Sequence, residues 1–167
     1  VFTLQKNIAN TVCAFISEAG ITAEALHGNK SQGQRERALD AFRAGSVQVL
    51  VATDIAARGI DVDTVTHVFN HDLPSLPESY VHRIGRTARK GKDGIAISFC
   101  ADDERNLLKN IQKATRQTIP SFDRRNDKQL AAAAAVADKL APAVVNISTT
   151  QYVDRKKTDD AAPGSVP

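Results

Sequence analysis

Apolar residues recur at helical spacing in some stretches of the chain and form short unbroken runs in others, and the two kinds alternate. Ile8, Val12, Phe15 and Ile16 define one face of a helix over 5–19, which Gly20 stops. A second helix is predicted over 32–44, with Ser31 as N-cap, Ala38, Leu39 and Phe42 on its buried face, and Gly45 at its end. The β-branched run 47–52 suits a central strand covered on both faces. Shorter apolar runs predict strands at 21–26, 65–69 and 94–99, and 1–3 reads as the end of a strand. Pro77 opens a helix predicted to reach Ala88, and Leu107, Leu108 and Ile111 mark another over 102–114. Alternating strands and helices imply βαβ units, hence an α/β fold whose mostly parallel sheet carries helices on both sides. Ligands of such sheets sit beyond the carboxyl ends of the strands, so candidate residues are expected to gather along that edge.

Composition narrows the picture. The chain has 167 residues, 42% hydrophobic and 25% charged, enough for one domain with a real core. That domain is placed at 1–120, followed by an Ala-rich, partly helical extension over 121–153 and a disordered tail over 154–167. The net charge of +3 is compatible with a polyanionic partner without requiring one. Cys13 and Cys100 stand far apart and read as reduced thiols, and His27, His67 and His71 have no mutual metal spacing. No apolar run is long enough to span a bilayer and no signal peptide is visible, so a cytoplasmic protein is expected. The absence of Met and the opening on Val1-Phe2-Thr3 suggest a piece of a longer protein with its first strand clipped.

Two stretches carry candidate chemistry. Gly28 to Gly33 has the spacing of a phosphate loop, but Gln34 and Arg35 stand where Lys and Ser or Thr belong, so that reading is rejected. In His82-Arg83-Ile84-Gly85-Arg86-Thr87-Ala88-Arg89, three arginines and a histidine fall within eight residues. On the predicted helix, Arg86 and Arg89 leave from one face, and two guanidinium forks there suit a nucleoside triphosphate. A solvated basic helix is the alternative.

The octet resembles the sixth motif of superfamily 2 helicases, and its His-Arg-Ile-Gly-Arg-Thr opening resembles the DEAD-box RNA helicases. Ala52 to Asp61 resembles that family's fifth motif, and His27-Gly28 with Gln32-Gly33-Gln34-Arg35 resembles its Gln-x-x-Arg segment. The resemblance covers about 1–120. It implies a RecA-like three-layer sandwich, the second such domain of an ATP-dependent RNA helicase, inactive alone. It further implies that Arg86 and Arg89 act as arginine fingers on ATP, while Asp61 bonds the ribose. Gly28, Gln32, Arg35 and Thr53 would face the backbone of single-stranded RNA, without base specificity. Arg58, His82 and Arg83 would meet the upstream RecA-like domain, which would hold most of the ATP and Mg2+. Phe2 would pack beneath the arginines, and no membrane partner is implied. Ala88 stands where the family usually has Gly, a change expected to cost little on a helix. Gln5 stands where Ser or Thr is usual, leaving one phosphate contact open. A DNA-directed superfamily 2 helicase half and a non-catalytic RNA-binding domain are the competing readings.

Overall fold

The computed structural model describes residues 1–60, 62–123 and 147–152. Five strands within them run parallel: β1 (Phe2–Thr3), β2 (Ala23–Leu26), β3 (Val49–Thr53), β4 (His67–Asn70) and β5 (Ile95–Ser98). They lie in the order β2-β3-β1-β4-β5, so the two-residue β1 is central. Its register is set on both sides, with Phe2 opposite Ala52 of β3 and Asn70 of β4. Two antiparallel strands, β6 (Ser121–Asp123) and β7 (Ile147–Tyr152), extend the sheet beyond β5, which pairs with β7. The Ala-rich stretch predicted over 130–140 and the tail 154–167 lie outside the described residues.

The helices are α1 (Lys6–Glu18), α2 (Gln32–Arg43), the single turn α3 (Asp54–Ala57), α4 (Pro77–Ile84) and α5 (Arg105–Thr115). From β1 the chain moves to the edge at β2 and then returns through β3, β4 and β5. Right-handed crossovers in opposite directions put α1 on one face and α2 and α4 on the other. Burial agrees. One cluster joins Phe2, Leu50, Ala52, Val68 and Ala96 to Ala38 of α2, Tyr80 and Ile84 of α4, and Leu108 and Ile111 of α5. Ala9 of α1 and Val51 of β3 are fully buried but belong to the opposite face, as the alternation of strand side chains demands.

Local signals explain most boundaries. Ser31 Oγ accepts from the Gln34 backbone N–H at 3.3 Å while Gln34 Oε1 accepts from the Ser31 N–H at 2.9 Å, a reciprocal cap. Gln34, the residue that ruled out a phosphate loop, thus starts a helix instead. The helix predicted to reach Ala88 ends at Ile84. The N–H groups of Arg86 and Thr87 turn to the carbonyls of Arg83 and Ile84, the tighter three-residue spacing, and Ala88 then adopts a left-handed φ of 54°. Arg86 and Arg89 therefore do not share a helical face; they flank a tight loop.

Candidate functional site

The carboxyl ends of β2 and β3 bring together the residues expected to face a nucleic-acid backbone. Gly28 lies exposed two residues past β2, and Thr53 closes β3 without spending its hydroxyl on capping α3. Gln32 donates Nε2 to Glu36 Oε1 at 2.8 Å and accepts from Arg35 Nη1 at 3.4 Å. Arg35 Nη2 reaches the Ala56 carbonyl at 3.4 Å, tying α2 to α3, while its buried Nε has no partner. His27 holds this edge from beneath. Its Nδ1 accepts from the Asn29 backbone N–H at 3.3 Å, so Nε2 carries the proton and donates to Asn10 Oδ1 at 2.9 Å. Burial, with the charges of Lys30 and Lys6, lowers its pKa and favours this neutral form.

Arg83 occupies the centre of the same edge, and its expected role is corrected here. It is 1% exposed, so it cannot reach out to a neighbouring domain. Its Nε and Nη2 grip Asp54 in a fork at 2.6 and 2.7 Å. Its Nη1 donates to Asn70 Oδ1 at 3.3 Å and to the Asp72 carbonyl at 2.7 Å. Phe2 lies under this guanidinium, 5.3 Å from ring centre to Cζ, so the aromatic supports Arg83. Asp72 extends the network, accepting from the Leu4 N–H and from His71 Nδ1, each at 3.0 Å. Burial alone would raise its pKa. The His71 and Leu4 hydrogen bonds, with the charges of His71 and Arg83, outweigh it and hold the carboxyl below its ordinary range.

Arg86 and Arg89 lie elsewhere, which corrects the expectation of a single gathering edge. Helix α4 runs back against the strands, and its eight residues carry the chain about 12 Å toward their amino ends. Arg83 still reaches the carboxyl edge because helical side chains lean toward the helix N-terminus. Past the helix end, Arg86 Nε bonds the His82 carbonyl at 3.1 Å and its Nη1 the Ile60 carbonyl at 3.0 Å. Arg89 Nε bonds the Gly85 carbonyl at 2.9 Å. Both arginines are half-buried, with guanidinium groups braced by main-chain oxygens. Arg58 and His82 are exposed, Arg58 beside a turn at Gly59 with φ 78°. Asp61 lies outside the described residues.

The Helicase conserved C-terminal domain family matches residues 1–91. The chain is 46% identical over 123 residues to the DEAD-box ATP-dependent RNA helicase CshA of Bacillus cereus, covering 74% of this chain and 23% of that protein. It belongs to the DEAD-box RNA helicases, as a C-terminal domain. The ATP-dependent RNA helicase DBP2 of Lodderomyces elongisporus is 47% identical over 133 residues, 75% of this chain and 24% of that one. Among solved structures, the E. coli DEAD-box protein SrmB bound to regulator of ribonuclease activity A superposes with a TM-score of 0.64 at 42% identity. That match covers 68% of this chain and 66% of the other. S. cerevisiae Dbp5 bound to RNA and ADP BeF3 gives 0.63 at 43%, covering 67% of this chain and 30% of the other. The chain thus spans about a quarter of the length of the curated relatives it matches. The RecA-like α/β fold expected from the resemblance is the one observed.

Within this DEAD-box domain, the sequence reading passed over Asn70, Asp72 and Thr87. No spacing rule links Asp54 to Arg83, twenty-nine positions apart. The one available signal was that a charged residue directly after a buried strand needs a partner.

Proposed function

We propose that this chain is the second half of an ATP-dependent RNA helicase, completing sites shared with a RecA-like domain that precedes it. Arg86 and Arg89 supply positive charge to the phosphoryl group transferred from ATP, an effect on the order of 10³ to 10⁵ in rate in other nucleotide hydrolases. Asp61 bonds the ribose, and the upstream domain holds the magnesium ion. Gly28, Gln32, Arg35 and Thr53 take the phosphates and sugars of single-stranded RNA, while the exposed Arg58 and His82 meet the upstream domain. Closure of the two domains on both ligands bends the strand and disrupts a local duplex, and phosphate release reopens them.

The observation that carries this reading is the bracing of the arginine pair. Each Nε is fixed to a carbonyl four residues back, so the guanidinium groups are held before any ligand arrives. That a relative of this fold, Dbp5, has been solved with RNA and ADP BeF3 supports the same assignment.

The test is steady-state ATP turnover of the full-length protein at saturating RNA. Arg86→Ala and Arg89→Ala are each expected to lower turnover by about two orders of magnitude or more. The Lys variants should recover little, because an ammonium cannot reproduce the planar fork. Circular dichroism should show both Ala variants folded. Parental turnover in both would overturn the assignment and leave the loop a basic surface.

A further inference from the structure

We infer that Gly94, outside the arginine stretch, is a positioning residue for Arg86 and Arg89, acting through Thr87. The inference rests on the finger reading above. Between the two half-buried arginines sit two buried residues, Thr87 at 2% and Ala88 at 3% exposure. Thr87 Oγ1 donates to the Val65 carbonyl at 2.6 Å and so hooks the loop to the segment entering β4. Gly94, immediately before β5, packs against that hook from the other side. A Cβ on Gly94 would lie 2.3 Å from Thr87 Oγ1, 2.8 Å from Thr87 Cγ2 and 2.6 Å from the Ala88 backbone nitrogen.

These distances separate Gly94 from the other glycines. Gly20, Gly45, Gly59 and Gly91 have positive φ and open space where a Cβ would go, so they serve the turn. Gly94 has no positive φ, so its requirement is for space alone. Rotating Thr87 cannot relieve the clash, because one of the crowded atoms is main chain. The Thr87-Ala88 peptide must move, and with it the neighbours on either side, Arg86 and Arg89. Their braces to His82, Gly85 and Ile60 lie within the same few residues and cannot all be kept.

A displacement near 1 Å of a charge-stabilising group costs about 10²-fold when geometry is demanding. In the full-length protein, Gly94→Ala is therefore expected to lower kcat for RNA-stimulated ATP turnover about tenfold or more, with RNA half-saturation changed less than about threefold. A structural defect would lower turnover whatever residue stands at 86, so the deciding readout is a double-mutant cycle. Introduced into an Arg86→Ala, Arg89→Ala background, which lacks both groups to be positioned, Gly94→Ala should cost less than about twofold. If Gly94→Ala fails to fold, Thr87→Val, which deletes the hook at constant shape, takes its place in the cycle. Thr87→Ser, which keeps the hydroxyl, should stay near parental kcat. Equal losses in both backgrounds, or no loss from either variant in the parental protein, would overturn the inference. A parental rate in Arg86→Ala itself would instead sink the finger reading beneath it.

Discussion

Arg83 and Arg86 are three residues apart and chemically identical, yet the fold uses them in opposite ways. Arg83 makes four hydrogen bonds, two to Asp54, one to Asn70 and one to a main-chain carbonyl, above the Phe2 ring. Its charge is matched inside the protein. Arg86 is braced by two carbonyls, His82 and Ile60, and stays half-buried on a loop. The first region is a compact network joining β1, α3, α4 and the segment after β4. The second is a tight loop that the Thr87 hydroxyl hooks to the segment entering β4. What the difference teaches is that an arginine's role follows from the acceptors within its reach. A carboxylate meets Arg83 in a matched fork, whereas the carbonyls of His82, Ile60 and Gly85 orient the guanidinium groups of Arg86 and Arg89.

The sharpest way to break this comparison is to remove each arginine and measure unfolding. Arg83→Ala leaves Asp54 without its partner beneath the helix and should destabilise the chain by roughly 3 kcal/mol, the lower end for a buried pair. The lower end applies because the Asp54 side chain is 31% exposed. Arg86→Ala, which removes hydrogen bonds to two carbonyls on a half-buried loop, should cost less, about 1 kcal/mol. Equal losses in the two variants, by thermal or urea melts, would erase the distinction.

Acid sharpens it further. Asp72 belongs to the Arg83 network and its folded pKa lies below the ordinary 3.8. Because the folded state binds this proton more weakly than the unfolded chain, the associated stability is full above 3.8 and is lost as pH falls through the folded value. Asp72→Asn should therefore flatten the melting curve against pH in that acidic window. It should leave the arginine loop, and the turnover that depends on it, less affected than stability. An acid limb as steep as the parent's would remove Asp72 from the network.

The smallest effect is expected in the loop itself. The methyl of Ala88, expected to cost little on a helix, sits instead at φ 54°, where a Cβ is crowded. Ala88→Gly relieves that strain, but it frees the unfolded chain and deletes a buried methyl, each term being about 0.5–1 kcal/mol. The terms oppose, so the melting midpoint should correspond to a change below about 0.5 kcal/mol. A gain above about 1 kcal/mol would show the strain to dominate.

Local pattern determined most of the secondary structure and the order of its elements. The caps at Ser31 and Gly45, the periodicity of α1 and α5 and the apolar runs of β3 to β5 depend on neighbours a few residues away, and those neighbours are printed in the sequence. The same is true of the parallel α/β class, which follows from alternation alone. It also holds for the edge where Gly28 and Thr53 emerge, one two residues past β2 and the other closing β3. Tertiary structure decided what the arginines do. Arg83 is buried because Asp54, Asn70 and Asp72 arrive from elements eleven to twenty-nine positions away. Helix α4 stops early because Val65 and Gly94 meet Thr87 from two different strands' approaches. Helical propensity, a few tenths of a kcal/mol per residue, does not compete with such contacts. Partners brought together across the sheet, each worth more than the local preference they oppose, leave no periodic trace along the chain.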